Sequence, residues 1–179
     1  STTARAYKLD GDTGEILIDT AMPRGSYGFA LDGRGILWLT GGAYWEGNLA
    51  FIDTNQCVDT ASCNVAPCTS ICSATACPAT CDNAVKADIT LDPTDTYGIT
   101  VDCRQRVWLG GSGIKRYDPL ALADQRLVVG ALGDYVAGIA ADSKGWVWGA
   151  GGNNNIVRLD AETLTQTASI NVSDYVHGV

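Results

Sequence analysis

The sequence predicts an all-β fold, and three observations carry that expectation. A motif of glycine, two alternating apolar residues and aspartate occurs three times, each followed after a short turn by an apolar-tryptophan pair. It reads Tyr27-Gly28-Phe29-Ala30-Leu31-Asp32 on to Leu37-Trp38-Leu39, Tyr97-Gly98-Ile99-Thr100-Val101-Asp102 on to Val107-Trp108-Leu109, and Ala137-Gly138-Ile139-Ala140-Ala141-Asp142 on to Val147-Trp148-Gly149. Through each copy the apolar positions recur at period two, as in strands buried on one face. The 179 residues include 21 glycines and one methionine, a balance that fits many turns and irregular connections.

The repeat period organises the chain. Gly98, Gly138 and Gly178 stand at equal intervals, whereas the interval from Gly28 to Gly98 is nearly twice as long. The extra length matches a cysteine-rich stretch at 55–85, read as an insertion into one repeat. Within a repeat, two strands flank the turns Gly33-Arg34-Gly35, Arg104-Gln105 and Ser143-Lys144-Gly145 and form a hairpin. A Gly/Asn-rich loop then leads to a third strand ending in aspartate: Leu49–Asp53, Ile114–Asp118 or Ile156–Asp160. A fourth strand follows at Ala87–Leu91, Gln125–Val129 and Gln166–Ile170. The N-terminal stretch fits the same scheme out of phase, with a third strand at Arg5–Asp10, a turn at Asp12-Thr13-Gly14 and a fourth strand at Glu15–Asp19.

Four antiparallel strands in a repeat of about 40 residues make the unit of a β-propeller. The expected organisation is part of a blade at 1–22, a blade at 27–95 carrying the insertion 55–85, blades at 96–133 and 135–173, and the start of another at 175–179. This amounts to about three and a half blades of a larger ring of six or seven. An open row of blades leaves faces and edges bare, so the remaining propeller blades or a second chain are expected partners.

Composition bounds function. Hydrophobic residues make up 46% of the chain, enough to build a core. The net charge of -8 argues against nucleic acid and against an anionic membrane surface, both of which need Lys and Arg. No apolar run is long enough to span a bilayer, so no membrane insertion is expected. Six of seven cysteines, Cys57, Cys63, Cys68, Cys72, Cys77 and Cys81, crowd into the inserted stretch. With no His in that segment and no Cys-x-x-Cys, disulfides fit better than zinc. Their pairing stays open, and their presence predicts an extracellular, periplasmic or cell-surface protein. Cys103 reads as a half-buried free thiol in a turn, with a bridge to the cluster or to an outside partner as the alternative.

The sequence Asn155-Ile156-Val157-Arg158-Leu159-Asp160, taken with the Gly-apolar-x-apolar-Asp and apolar-Trp motifs, resembles the propellers of the streptogramin lyase (virginiamycin B lyase-like) and NHL-repeat group. The resemblance covers nearly the whole chain outside the insertion. It implies bacterial propeller repeats that serve both enzymes and binding proteins. The lyases look like metal-assisted enzymes with a His base, on a face built by loops joining neighbouring blades. His177, preceding the Gly of a repeat, is the residue that carries over; Val176 stands where the lyase-like segment has Pro.

Asp32, Asp102 and Asp142 are read as turn residues accepting backbone N–H bonds, and Trp38, Trp108 and Trp148 as packing between blades. Asp10-Gly11-Asp12-Thr13-Gly14-Glu15 reads as a hairpin turn and not a calcium loop. The candidate ligand-binding residues are Arg24, Tyr27, Tyr44, Trp45, Glu46, Tyr97, Tyr135 and His177, which the repeat places on one face. Aromatic rings with a few orienting polar groups suit a sugar or a peptide. The expectation is a secreted or periplasmic binding or assembly module for a protein, peptide or glycan, needing no cofactor. In that reading the insertion projects as a disulfide-stapled contact surface. The alternative is a lyase-like enzyme whose catalytic blades lie outside this chain; only then does a divalent metal enter. For this chain alone no catalysis is expected, and His177 is its one catalytic candidate.

Overall fold

The computed structural model describes residues 4–41, 47–73, 81, 83–92, 95–151 and 153–178. The fold is all-β, with a single short helix among the described residues. A first sheet pairs β1 (Arg5–Leu9) with β2 (Ile16–Ala21). A second contains β3 (Phe29–Leu31), β4 (Ile36–Thr40) and β5 (Asn48–Asp53). After helix α1 (Thr60–Cys63) come β6 (Cys68–Ser73) and β7 (Lys86–Asp92), giving the order β3-β4-β5-β7-β6. The third sheet is built from β8 (Ile99–Val101) and β9 (Val107–Leu109). The short β10 (Gly111–Ser112) then crosses to the next sheet, and β11 (Lys115–Tyr117) and β12 (Leu127–Val129) complete the third. The fourth holds β13 (Tyr135–Ala141), β14 (Trp146–Gly151), β15 (Asn155–Asp160) and β16 (Gln166–Asn171) behind β10. The strands expected between Arg5 and Ile170 are present, whereas residues 175–178, expected to open another repeat, form no strand.

The hairpin turns explain why these residues bend where they do. Asp32, Asp102 and Asp142 donate their backbone N–H groups to Ile36, Arg106 and Trp146, and their side chains fill the turn. The last turn residue has positive φ in each copy: Gly35 at 82°, Gln105 at 66° and Gly145 at 85°. Glycine takes that conformation without strain. Gln105 is held there while its side-chain oxygen accepts the backbone N–H of Gly33 in the preceding sheet. The Asp10 turn is a hairpin, with Asp10 Oδ1 accepting from the N–H groups of Asp12 and Thr13 and the Thr13 hydroxyl. Asp160 repeats that pattern with Glu162 and Thr163.

Apolar residues between consecutive sheets form three clusters. Ile18, Leu39, Ala50 and Ile52 pack the first sheet on the second. Trp38, Phe51, Val107, Leu109 and Tyr117 join the second to the third. Trp108, Ile139, Val147 and Leu159 join the third to the fourth. The repeat glycines permit close approach of neighbouring first strands. A Cβ at Gly98 would collide with the carbonyl oxygen of Ala137, and one at Gly138 would lie 2.8 Å from that of His177. Each repeat glycine therefore faces the residue that precedes the next repeat glycine.

The insertion departs from expectation. It does not simply project: β6 pairs in parallel with β7 and adds an outer strand to the second sheet. Its disulfides Cys57–Cys63 and Cys68–Cys81 fix both ends of that excursion. Cys72 is disulfide-bonded too, and Cys77 lies outside the described residues. Asp59 caps α1 by accepting from the Ser62 N–H, and α1 lies against β2. There the Thr20 hydroxyl donates to the Cys63 carbonyl at 3.0 Å. Buried Cys57 and Cys63 belong to the same core as Ile18 and Ile52, so burial of apolar surface drew the segment back. Cys103 is free and sits in a turn, but it is exposed and not half-buried. Its hairpin turns the thiol to solvent while Asp102 and Arg106 take the interior.

Candidate functional site

Residues just before the first strands gather at one end of the sheets. Tyr27 and Tyr97 occupy the same repeat position, ahead of Gly28 and Gly98. Their rings stack at 4.8 Å with 25° between planes. Tyr97 meets Tyr135 edge-on at 6.0 Å and 64°. Three predicted residues thus form a continuous aromatic ladder across three sheets. Tyr27 remains 48% exposed, so the ladder is open to solvent at that side.

Hydrogen bonds to the backbone fix the ladder from below. The Thr40 hydroxyl donates to the Tyr97 carbonyl at 2.8 Å. The neighbouring Thr96 hydroxyl donates to the Asn48 carbonyl at 2.9 Å and accepts from the Gly41 N–H. Both anchors come from the second sheet while Tyr97 leads into the third, so they also set the spacing between the two. Lys115, fully buried, donates from Nζ to the Asp95 carbonyl at 2.8 Å and to that of Ser112 at 3.3 Å. Burial lowers the Lys115 pKa, and the nearby Asp95 carboxylate opposes that shift. Asp95 itself has φ 86° and accepts from the Ser112 N–H and hydroxyl. The loop entering Tyr97 is thereby fixed in an unusual conformation by specific polar contacts.

Arg24 stands at the same end, held by residues the sequence did not single out. Its Nε donates to both Asp88 carboxylate oxygens, at 2.8 and 2.7 Å. Its Nη1 lies 2.7 Å from the Asn48 amide oxygen when that amide is oriented to accept. No pattern in the sequence marks Asp88 or Asn48, because only the pairing of β5 with β7 brings them together. His177 packs edge-on against Tyr175 at 4.4 Å. Tyr175 was also missed, although Asp174-Tyr175-Val176-His177-Gly178 repeats Asp134-Tyr135-Val136-Ala137-Gly138 and so signals it. Tyr44, Trp45 and Glu46 lie outside the described residues.

The repeated aspartates carry structure. Asp102 Oδ2 accepts from the Trp108 indole at 2.9 Å and from Arg106 Nε at 2.7 Å. Asp32 bonds Trp38, and Asp142 bonds Trp148, in the same way. Burial works against the Asp32 and Asp102 charges, but the indole, backbone and guanidinium donors prevail and hold both carboxyls below the ordinary value. For Asp142 the Trp148 indole is the main cause of the same lowering. Each carboxylate thus locks a tryptophan against its own hairpin.

No family model and no curated protein matches the chain. Among solved structures, it is similar over 97% of its length to 71% of a Bacteroides caccae protein of unknown function, at 13% identity and a TM-score of 0.43. It is also similar, over 98% of its length, to the extracellular domain of a hybrid two-component system from Bacteroides thetaiotaomicron, at 17% identity and a TM-score of 0.43. The chain spans 21% of that second protein. No helix among the described residues is long and apolar enough to cross a membrane.

Proposed function

We propose that the four sheets are successive blades of a β-propeller resembling the streptogramin lyase and NHL-repeat group, and that the chain is a binding module outside the cytoplasm. The consecutive antiparallel order of the third sheet supports the blade reading, as does its repetition in the fourth. The disulfides support an oxidising compartment.

The observation that carries the binding role is the ladder Tyr27–Tyr97–Tyr135. Tyrosine offers a flat apolar ring and a polar tip at low entropic cost. A row of such rings, with the partly exposed Arg24 held by Asp88 and Asn48 at the same end, fits a ligand with alternating apolar and hydroxyl-bearing surface. A glycan has that character: the C–H face of a sugar lies on a ring while its hydroxyls reach the polar groups. The insertion contributes by holding the first sheet, and with it the segment bearing Arg24 and Tyr27, against the second.

Calorimetric titration with a panel of oligosaccharides tests this. Wild-type protein is expected to bind at least one with a Kd in the micromolar to millimolar range. Tyr97→Ala, which removes the centre of the ladder, is expected to weaken it at least tenfold without changing Tm by more than about 3 °C. Binding that Tyr97→Ala leaves intact, or binding of peptides alone, contradicts the glycan reading.

A further inference from the structure

We propose that the pocket between the insertion and the end of β2, lined by Lys86, is a binding site for a small monocarboxylate with an apolar body. It starts from a buried charge without a counter-charge. Lys86 is 2% exposed. It opens β7, and its side chain leaves the same face of the second sheet as Asp88, two residues along, and runs toward β2. There Nζ donates to the Thr20 hydroxyl at 2.7 Å and to the Ala21 carbonyl at 2.8 Å. An ammonium has three N–H donors. The third has no acceptor among the described residues, and both partners it has are neutral.

The neighbouring carboxylates are engaged elsewhere. Both Asp88 oxygens accept from Arg24 Nε, and Asp19 accepts from Arg5 Nε. Burial lowers the Lys86 pKa, and the charge that acts on it, Arg5, has the same sign and lowers it further. Lys115 is the contrast: it too is buried on two carbonyls, but the Asp95 carboxylate opposes the effect of burial. A buried charge is costly unless it is paired. A ligand carboxylate would supply the missing counter-charge and accept the third N–H.

The space for such a ligand is present. Lys86 and its acceptor residue Ala21 line a pocket of about 300 Å³. Its apolar walls are Met22 and Pro23, which follow β2, and Val65, Ala66 and Pro67, which follow α1. Residues 64–67 are exposed, so the pocket opens to solvent along the insertion. Asn64 lines it too, and its side-chain nitrogen, with no acceptor among the described residues, is a second donor. Two disulfide cysteines, Cys63 and Cys68, bound that lip on either side, which fixes it before a ligand arrives. The volume is at the lower end for a small-molecule site. One ammonium and one amide suit a single negative charge, and the walls suit a short chain or a ring. A dianionic phosphate would need more charged donors than the pocket holds.

The test titrates the chain with butyrate and benzoate, and with butyramide and benzamide as neutral counterparts, following amide chemical shifts and Tm. The carboxylates are expected to shift the Met22, Val65, Ala66 and Lys86 signals saturably and to raise Tm, as a ligand of the folded state does. The amides should bind at least about tenfold more weakly. Lys86→Met keeps the length of the side chain and removes its charge. It is expected to weaken carboxylate binding at least about tenfold, with Tm equal to or above that of the wild type, because an uncompensated buried charge is gone. Should that variant fail to fold, Val65→Glu at the exposed lip offers its own carboxylate to the ammonium. It is expected to raise Tm and to weaken benzoate binding at least about tenfold. Carboxylates that bind no better than the amides, that leave those four signals unmoved, or that bind Lys86→Met as well as the wild type overturn the proposal. A Tm loss in Lys86→Met with no carboxylate binding to the wild type identifies the ammonium as a tether between sheets and overturns it as well. Oligosaccharide binding at the tyrosine ladder is read with other ligands and through Tyr97→Ala, so the two proposals fail separately.

Discussion

Asp102 shows how one carboxylate organises a repeat. It is buried with Arg106, its partner across the turn, and Arg106 also reaches Glu162 of the next sheet at 3.0 Å. Without Asp102 the buried Trp108 indole loses its acceptor and Arg106 keeps Glu162 alone, at a cost of about 1–3 kcal/mol for each unsatisfied donor. Asp102→Ala is therefore expected to destabilise the protein on that scale in urea unfolding. Asp142→Ala should cost clearly less, because no buried guanidinium loses a partner there and Trp148 stays partly solvated. The lowered carboxyl pKa values of Asp32, Asp102 and Asp142 set the sign of the acid response. Their stabilisation is complete above the unfolded value of about 3.9 and is lost as pH falls through the lower folded values. Tm should be flat from neutrality to about pH 5 and fall below about pH 4. Asp102→Asn should flatten part of that limb. Sequence reading recovered the turn role of these aspartates. It missed the carboxylate–indole bond, because residues six apart meet only once a hairpin register is set.

At the scale of elements, the insertion changes role between sequence and structure. Its cysteine density was legible as disulfides. The parallel pairing of β6 with β7 was not, because a strand laid on an outer edge needs no alternation of apolar and polar residues. Thr69 and Ile71 indeed stay exposed. The packing of α1 on β2 was likewise invisible: it depends on Cys57 and Cys63 entering a core whose other members lie on β2, β4 and β5. Closing a loop of 13 residues, the Cys68–Cys81 bridge should contribute about 2–3 kcal/mol. Cys68→Ser with Cys81→Ser is expected to lower the urea midpoint accordingly and to free the β6 amides in hydrogen exchange. Wild-type exchange rates in β6 would show that the bridge does not hold that strand.

At the scale of the molecule, the repeat predicts more than strands. Its regular period places Tyr27 and Tyr97 at equivalent points of adjacent sheets, and the glycine that follows each brings those points close enough for rings to touch. The ladder was legible for this reason. Arg24 was legible as a member of the face, but its partners Asp88 and Asn48 depend on long-range strand pairing that no local pattern records.

Mapping amide chemical-shift changes while titrating a bound oligosaccharide tests whether the tyrosine ladder is the ligand face. The shifts are expected to cluster at residues 24–28, 95–98 and 134–137. Shifts confined to the insertion between Cys57 and Cys81, or scattered over all four sheets, would contradict it.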